Sequence, residues 1–146
     1  MQTAVALILL GFLYGTTSAA ETACGYHLKA TVSISGAETR RFRVGIADTS
    51  SLHRKGLMEC SSLPRGQGLL FIFPDLSVRS FWMYRTSMPL AIIFLDDDFR
   101  VITVRKGEPN STLSISSEKP VRYVLEVNWE EGKAILPGQQ AMVVFD

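Results

Sequence analysis

The chain has 146 residues, enough for one hydrophobic core and too few for two. Its 15 Lys and Arg nearly cancel 14 Asp and Glu, which excludes the long-range field that gathers nucleic acid or an anionic membrane surface. With 47% apolar and 20% charged residues, the composition is that of an ordinary globular domain.

Residues 1 to 20 carry no charge. The run from Ala4 to Tyr14 is apolar throughout and ends in Gly15-Thr-Thr-Ser-Ala-Ala20. It is shorter than the ~20 residues a membrane span needs. It suits the core of a secretory signal, and Ser18 and Ala20 meet the small-residue rule for cleavage. Residues 1–20 therefore read as a signal peptide, and 21–146 as one exported β-sandwich domain, periplasmic or secreted, with no membrane span once the signal is removed. The absence of Lys or Arg beside Met1 departs from the signal pattern, and Glu21 spoils a lipoprotein-type cleavage ahead of Cys24.

Tyr26, Leu28, Ala30, Val32 and Ile34 alternate with polar residues, the period of a half-buried strand. Ser35-Gly-Ala37 is a turn, and Phe42, Val44 and Ile46 alternate with Arg41, Arg43 and Gly45 in a returning strand, predicting an antiparallel hairpin with one wet face. Asp48 is a candidate N-cap for a short helix ending near Gly56, with Leu52, Leu57 and Met58 on its apolar side. Three apolar runs follow: Gly68 to Pro74, Ser80 to Thr86, and Met88 to Asp96. Their Ile, Phe, Trp and Tyr content predicts buried strands. Asp96-Asp-Asp98 links the third run to Phe99 through Val104 in a second hairpin; it lacks the alternation, Gly and Glu of a calcium loop and reads as a solvated turn.

Arg105 to Pro120 is the most polar stretch and predicts a surface loop, within which Asn110-Ser-Thr112 is a glycosylation sequon. Val121, Tyr123, Leu125 and Val127 alternate with Arg122 and Glu126 in a further strand; Trp129 to Leu136 predicts a short helix, and Ala141 to Phe145 a last strand. The sum is mainly β: an antiparallel sandwich or partly open barrel of about eight strands with two short helices.

Cys24 and Cys60 are the only cysteines. In an exported chain the pair predicts a disulfide. The alternative is Cys60 as a thiolate nucleophile with His53 as its base, two helical turns apart.

The order Gly56-Leu-Met58, Ser62-Leu-Pro64, Gly68-Leu-Leu-Phe-Ile-Phe-Pro74, Phe81-Trp-Met83, Thr86, Pro89-Leu90, Ile93-Phe-Leu-Asp96 and Tyr123-Val-Leu-Glu-Val127 resembles the family called domain of unknown function 192, over roughly Arg43 to Phe145. The resemblance implies a compact, mostly antiparallel β-sandwich, common behind signal peptides in exported bacterial proteins, with no settled activity. Three departures stand out. Tyr84 and Arg85 replace the family's Lys and Asn, Ala91 replaces an Asp, and Gln139 replaces an Asp after Gly138.

The central runs hold the candidate site: Trp82, Met83, Tyr84, Arg85 and Thr86, where a strand meets a loop. An Arg beside aromatic rings clamps carboxylate or phosphate in bidentate fashion, and Thr86 adds a hydroxyl. Glu126, expected on the wet face of its strand, is a partner for Arg85 or Arg122. The plain structural alternative has Trp82 in the core and Arg85 snorkelling from a strand end. Three functions remain open: a non-catalytic exported domain binding a small anionic ligand, glycan fragment or envelope partner protein at the Trp82 to Pro89 turn; a cell-envelope hydrolase using Arg85, Thr86 and Glu126; and a copper carrier using Met58, Met83 and Met88 with Cys60 and His53 nearby. No cofactor is expected, and two His and two paired Cys leave no zinc set.

Overall fold

The computed structural model describes residues 24–146, so the signal-peptide reading of residues 1–20 lies outside the described residues. The elements run β1 (Ala30–Ile34), β2 (Arg40–Ala47), α1 (Ser50–Lys55), β3 (Gln67–Ser77), β4 (Ser80–Phe81), β5 (Leu90–Leu95), β6 (Val101–Gly107), β7 (Ile115–Ser116), β8 (Val121–Asn128), α2 (Trp129–Gly132) and β9 (Ala141–Phe145). The protein is mainly β with two short helices, as the apolar periodicity predicts.

Seven strands form one sheet in the order β6-β5-β8-β3-β2-β1-β9, and β4 pairs with β7 in a small second sheet. The β1–β2 and β5–β6 hairpins are antiparallel as expected, with Val32 opposite Phe42 and Ile93 opposite Val104. The sheet is nevertheless mixed, because β2 and β3 run parallel. Parallel neighbours need a crossover connection, and here it carries α1. The two edge strands approach each other at one end through a bridge between Arg100 and Gln140. There Val101 N–H donates to the Gln139 carbonyl and Ala141 N–H to that of Phe99, both at 2.9 Å. The sheet therefore curls into a barrel that is not closed.

Both faces of the central strands are covered. Every residue of β5 is buried, the pattern of a strand covered on two sides rather than one. Ala91, Ile93 and Leu95 join Val32, Val44, Leu70 and Leu125 in the inner core. Leu90, Ile92 and Phe94 join Leu69, Phe71, Val124, Leu57 and Met83 in an outer core. Each fully buried side chain of this size contributes roughly 1.5–3 kcal/mol. The outer core is roofed by α1, the segments after it and the approach to β5.

Local chemistry moves several predicted boundaries. Thr49, not Asp48, caps α1: its Oγ1 accepts from Leu52 N–H. The helix stops at Gly56, whose φ of 46° favours a residue without Cβ, so Leu57 and Met58 lie beyond it. The middle apolar run is a strand only through Phe81; Met83 to Thr86 form a turn closed by Thr86 N–H to the Met83 carbonyl at 3.1 Å, with Arg85 at φ 52°. The polar Arg105 to Pro120 stretch contains the end of β6 and all of β7. Helix α2 covers only Trp129–Gly132. Cys24 and Cys60 are disulfide-bonded, with Cα atoms 5.0 Å apart.

Candidate functional site

On the outer face, α1 and Met58 stand on one side and the Val78 to Thr86 stretch on the other, enclosing a cleft of about 770 Å³. Phe71, Phe73, Phe81, Trp82, Met83 and Tyr84 supply most of its apolar lining, and Glu126 lies within it. Leu69 and Ile92 flank Glu126 in register on β3 and β5, which places the carboxyl at the centre of the sheet.

Glu126 is not on a wet face. It is 4% exposed, because Glu126 shares its side of β8 with Val124 and that side is roofed. Among the described residues nothing donates a hydrogen bond to its carboxyl and no cation pairs with it. Burial without compensation penalises the anion, and the group is pushed up to about 8. At neutral pH it is a carboxylic acid with an O–H to give. Tyr26 feels the same surroundings: burial first, then the Glu126 charge, raise its phenol above the ordinary value. Its hydroxyl donates to the Gly56 carbonyl at 2.9 Å. The ring lies so close to β2 that a Cβ on Gly45 would come within 2.5 Å of Tyr26 Cβ.

The structure brings Trp82, Met83, Tyr84, Thr86 and Glu126 to this cleft and leaves Arg85 out of its lining. Trp82 is 51% and Tyr84 41% exposed, with ring centroids 5.0 Å apart, so Trp82 does not fill the core. Met83 is buried, its sulfur against Gly107, where a Cβ would come within 2.4 Å of Sδ. Thr86 is buried and its Oγ1 donates to the Tyr84 carbonyl at 3.2 Å. Arg85, expected to clamp an anion, pairs on the surface with Glu59. Arg122 does not meet Glu126 either; its Nε donates to the Phe73 carbonyl at 3.3 Å.

Four cleft residues escape a reading of the central runs alone: His53, Arg54, Lys55 and Arg79. His53 Nε2 lies 3.0 Å from both the Ala47 and Ile72 carbonyls, so that nitrogen carries a proton. Arg54 and Lys55 are exposed in the last turn of α1, where cations suit the helix dipole. Arg79 stacks 4.1 Å over the Phe73 ring and pairs with Asp75 at 2.7 Å, while its Nε is buried without an acceptor. Ser77 and then Arg79 hold the Asp75 carboxyl below its usual range.

The other donor groups are committed elsewhere. The disulfide removes Cys60 both as a nucleophile and as a soft-metal ligand, and the two carbonyls occupy His53 Nε2. Met88 packs in the outer core with Met83. Asp96, Asp97 and Asp98 gather at the β5–β6 turn, where Asp96 Oδ1 accepts from the N–H groups of Asp98 and Arg100 at 2.9 Å, the work of a turn residue.

A solved structure from Sinorhizobium meliloti 1021, described as "a putative transcription regulator", is 30% identical, with a TM-score of 0.76 over 81% of this chain and 95% of that one. A second, from Novosphingobium aromaticivorans DSM 12444 and described as a protein of unknown function, is also 30% identical, with a TM-score of 0.76 over 85% of this chain and 94% of that one. No curated protein matches the sequence at a significant level. The DUF192 family model, described as "Uncharacterized ACR, COG1430", matches residues 30–141. On that span of matching sequence, the chain belongs to the DUF192 family.

Proposed function

We propose that the protein is an exported, non-catalytic binding domain that takes a small organic ligand into the Glu126 cleft. One observation carries the reading: a 4% exposed carboxyl without a protein partner faces an aromatic-lined cleft large enough for a metabolite. A buried polar group left unpaired costs about 1–3 kcal/mol, and a ligand that completes its hydrogen bonding recovers part of that. Trp82 and Tyr84 hold aromatic surface at the mouth, where it suits a ring or glycan face. Arg85 has a different part, tying the rim to Glu59. Export rests on the uncharged leader and fits the disulfide. Among the described residues no helix is long and apolar enough to cross a membrane. The regulator label of the Sinorhizobium structure is not taken over, because near-balanced charge gives no electrostatic basis for gripping nucleic acid.

A thermal-shift screen of envelope metabolites against the wild type and Glu126→Leu tests the reading. Stabilising compounds are expected to lose their effect in the variant; hits indifferent to Glu126→Leu overturn it.

The hydrolase reading keeps one supporting fact. Burial pushes Glu126 up to about 8, a range suited to proton transfer near neutral pH, and Thr86 also lines the cleft. No nucleophile with an orienting base joins them among the described residues. Chromogenic ester and glycoside substrates separate the two readings: turnover abolished by Glu126→Gln favours the enzyme.

A further inference from the structure

Resting on the binding reading, we propose that the ligand is a small monocarboxylate on an apolar, ring-sized body, whose carboxylate accepts the hydrogen bond of the Glu126 acid while the ring packs against the Phe81 and Trp82 wall.

Among the residues lining the cleft, Arg54, Lys55 and Arg79 are cations and Glu126 is the sole acid. Neither Arg54 nor Lys55 has an ion-pair partner among the described residues, and Glu59 and Asp75, the nearby acids, are engaged by Arg85 and Arg79. With Glu126 uncharged, the cleft is positive. The Glu126 carboxyl is the buried cleft group without a protein partner among the described residues; as an acid it offers an O–H donor beside its C=O, and a carboxylate, which is acceptor only, takes that O–H. An O–H to carboxylate bond is among the stronger hydrogen bonds. An amine would place one more positive charge beside the unpaired Arg54 and Lys55. A phosphate dianion would bring a second charge into a mainly apolar lining, where desolvation weighs against it.

The ionisable groups around Glu126 are Tyr26 from the segment before β1, His53, Arg54 and Lys55 of α1, Arg79 between β3 and β4, and Tyr84 of the turn. Glu126, at about 8, gains the charge that turns an anion away between pH 7 and 9, whereas the Tyr26 phenol, raised above its ordinary value, ionises only at higher pH.

Titration calorimetry and amide-resolved NMR on the full chain, using 2-naphthoate, 2-naphthamide and 2-naphthylmethylamine, test the inference at fixed ring size. Naphthoate is expected to bind most tightly at pH 7 and to weaken roughly tenfold by pH 9, since each pH unit beyond the Glu126 titration changes the acid fraction tenfold. Glu126→Gln, which keeps a donor, is expected to bind naphthoate independently of pH. The exposed double change Arg54→Glu with Lys55→Glu is expected to weaken naphthoate selectively. If the amine or the amide shifts cleft signals as well as naphthoate does, or amine binding strengthens with rising pH, the anion assignment is overturned while the binding reading stands. If none of the three shifts them, both fall.

Discussion

Glu59 and Arg85 hold each other twice: their side chains form an ion pair, and the Glu59 N–H donates to the Arg85 carbonyl at 2.7 Å. Both residues sit in the left-handed region, with φ of 61° and 52°. The contact ties the segment after α1 to the turn before β5, the two sides of the cleft mouth. It also explains why Arg85 is turned away from the cleft.

Both charged groups of that pair are more than half exposed, so Arg85→Ala is expected to cost under about 1 kcal/mol in urea unfolding. Arg85→Gly loses the same pair but relaxes the left-handed backbone, and is expected to be at least as stable as the Ala variant. Binding at the cleft should survive both within about twofold, because Arg85 is outside the lining. Calorimetry with any ligand found for the wild type checks this.

Glu126 makes stability pH-dependent in a defined direction. Its folded value, about 8, is above the ordinary 4.5, so between those values the folded chain holds a proton that the unfolded chain releases. Stability is complete below about pH 4.5 and declines as pH rises through about 8, by a total on the order of 5 kcal/mol. Glu126→Gln is expected to abolish this decline and to exceed the wild type above pH 8. Chemical unfolding from pH 5 to 9 measures both curves.

Cys24 and Cys60 are 36 residues apart in sequence. Replacing both by Ser removes a loop constraint worth about 4 kcal/mol on the chain-entropy estimate. A fall of that order in unfolding free energy is expected, with protection from hydrogen exchange lost first around Leu57 to Leu63, next to one wall of the cleft.

Ala91 is fully buried in the inner core. A Cβ placed on Gly132 would approach Ala91 Cβ to 2.4 Å, so α2 leaves no room above it. Restoring the family's carboxylate with Ala91→Asp is expected to cost on the order of 3 kcal/mol or more, by burying an unpaired charge under steric pressure. Thermal unfolding of the variant gives the measurement.

The hairpins were readable because one residue in two is apolar along Tyr26 to Ile34 and Phe42 to Ile46, and only one registry buries that set. Glu126 was not. Alternation in β8 puts Tyr123, Leu125 and Val127 on one side and so consigns Glu126 to the other, which is wet only if nothing covers it. The cover comes from distant residues such as Leu57, Met83 and Met88, and no local pattern announces it. The same limit hid the parallel β2–β3 pair and the end of the middle strand at Phe81, since turn chemistry at Arg85 depends on its contact with Glu59. The candidate residues Trp82, Met83, Tyr84 and Thr86 were legible from composition; Arg54 and Lys55 became relevant only when the chain folded back.

The crossover between β2 and β3 has a consequence for how such a cleft can change over generations. A parallel pair obliges the chain to travel back over the sheet, and that return path contributes the α1 wall. Pocket and topology are thus inseparable, while α1 itself buries no residue fully. Substitutions along its exposed turn can redraw ligand preference with little penalty to the scaffold, so homologous chains can share this architecture and still answer to different molecules.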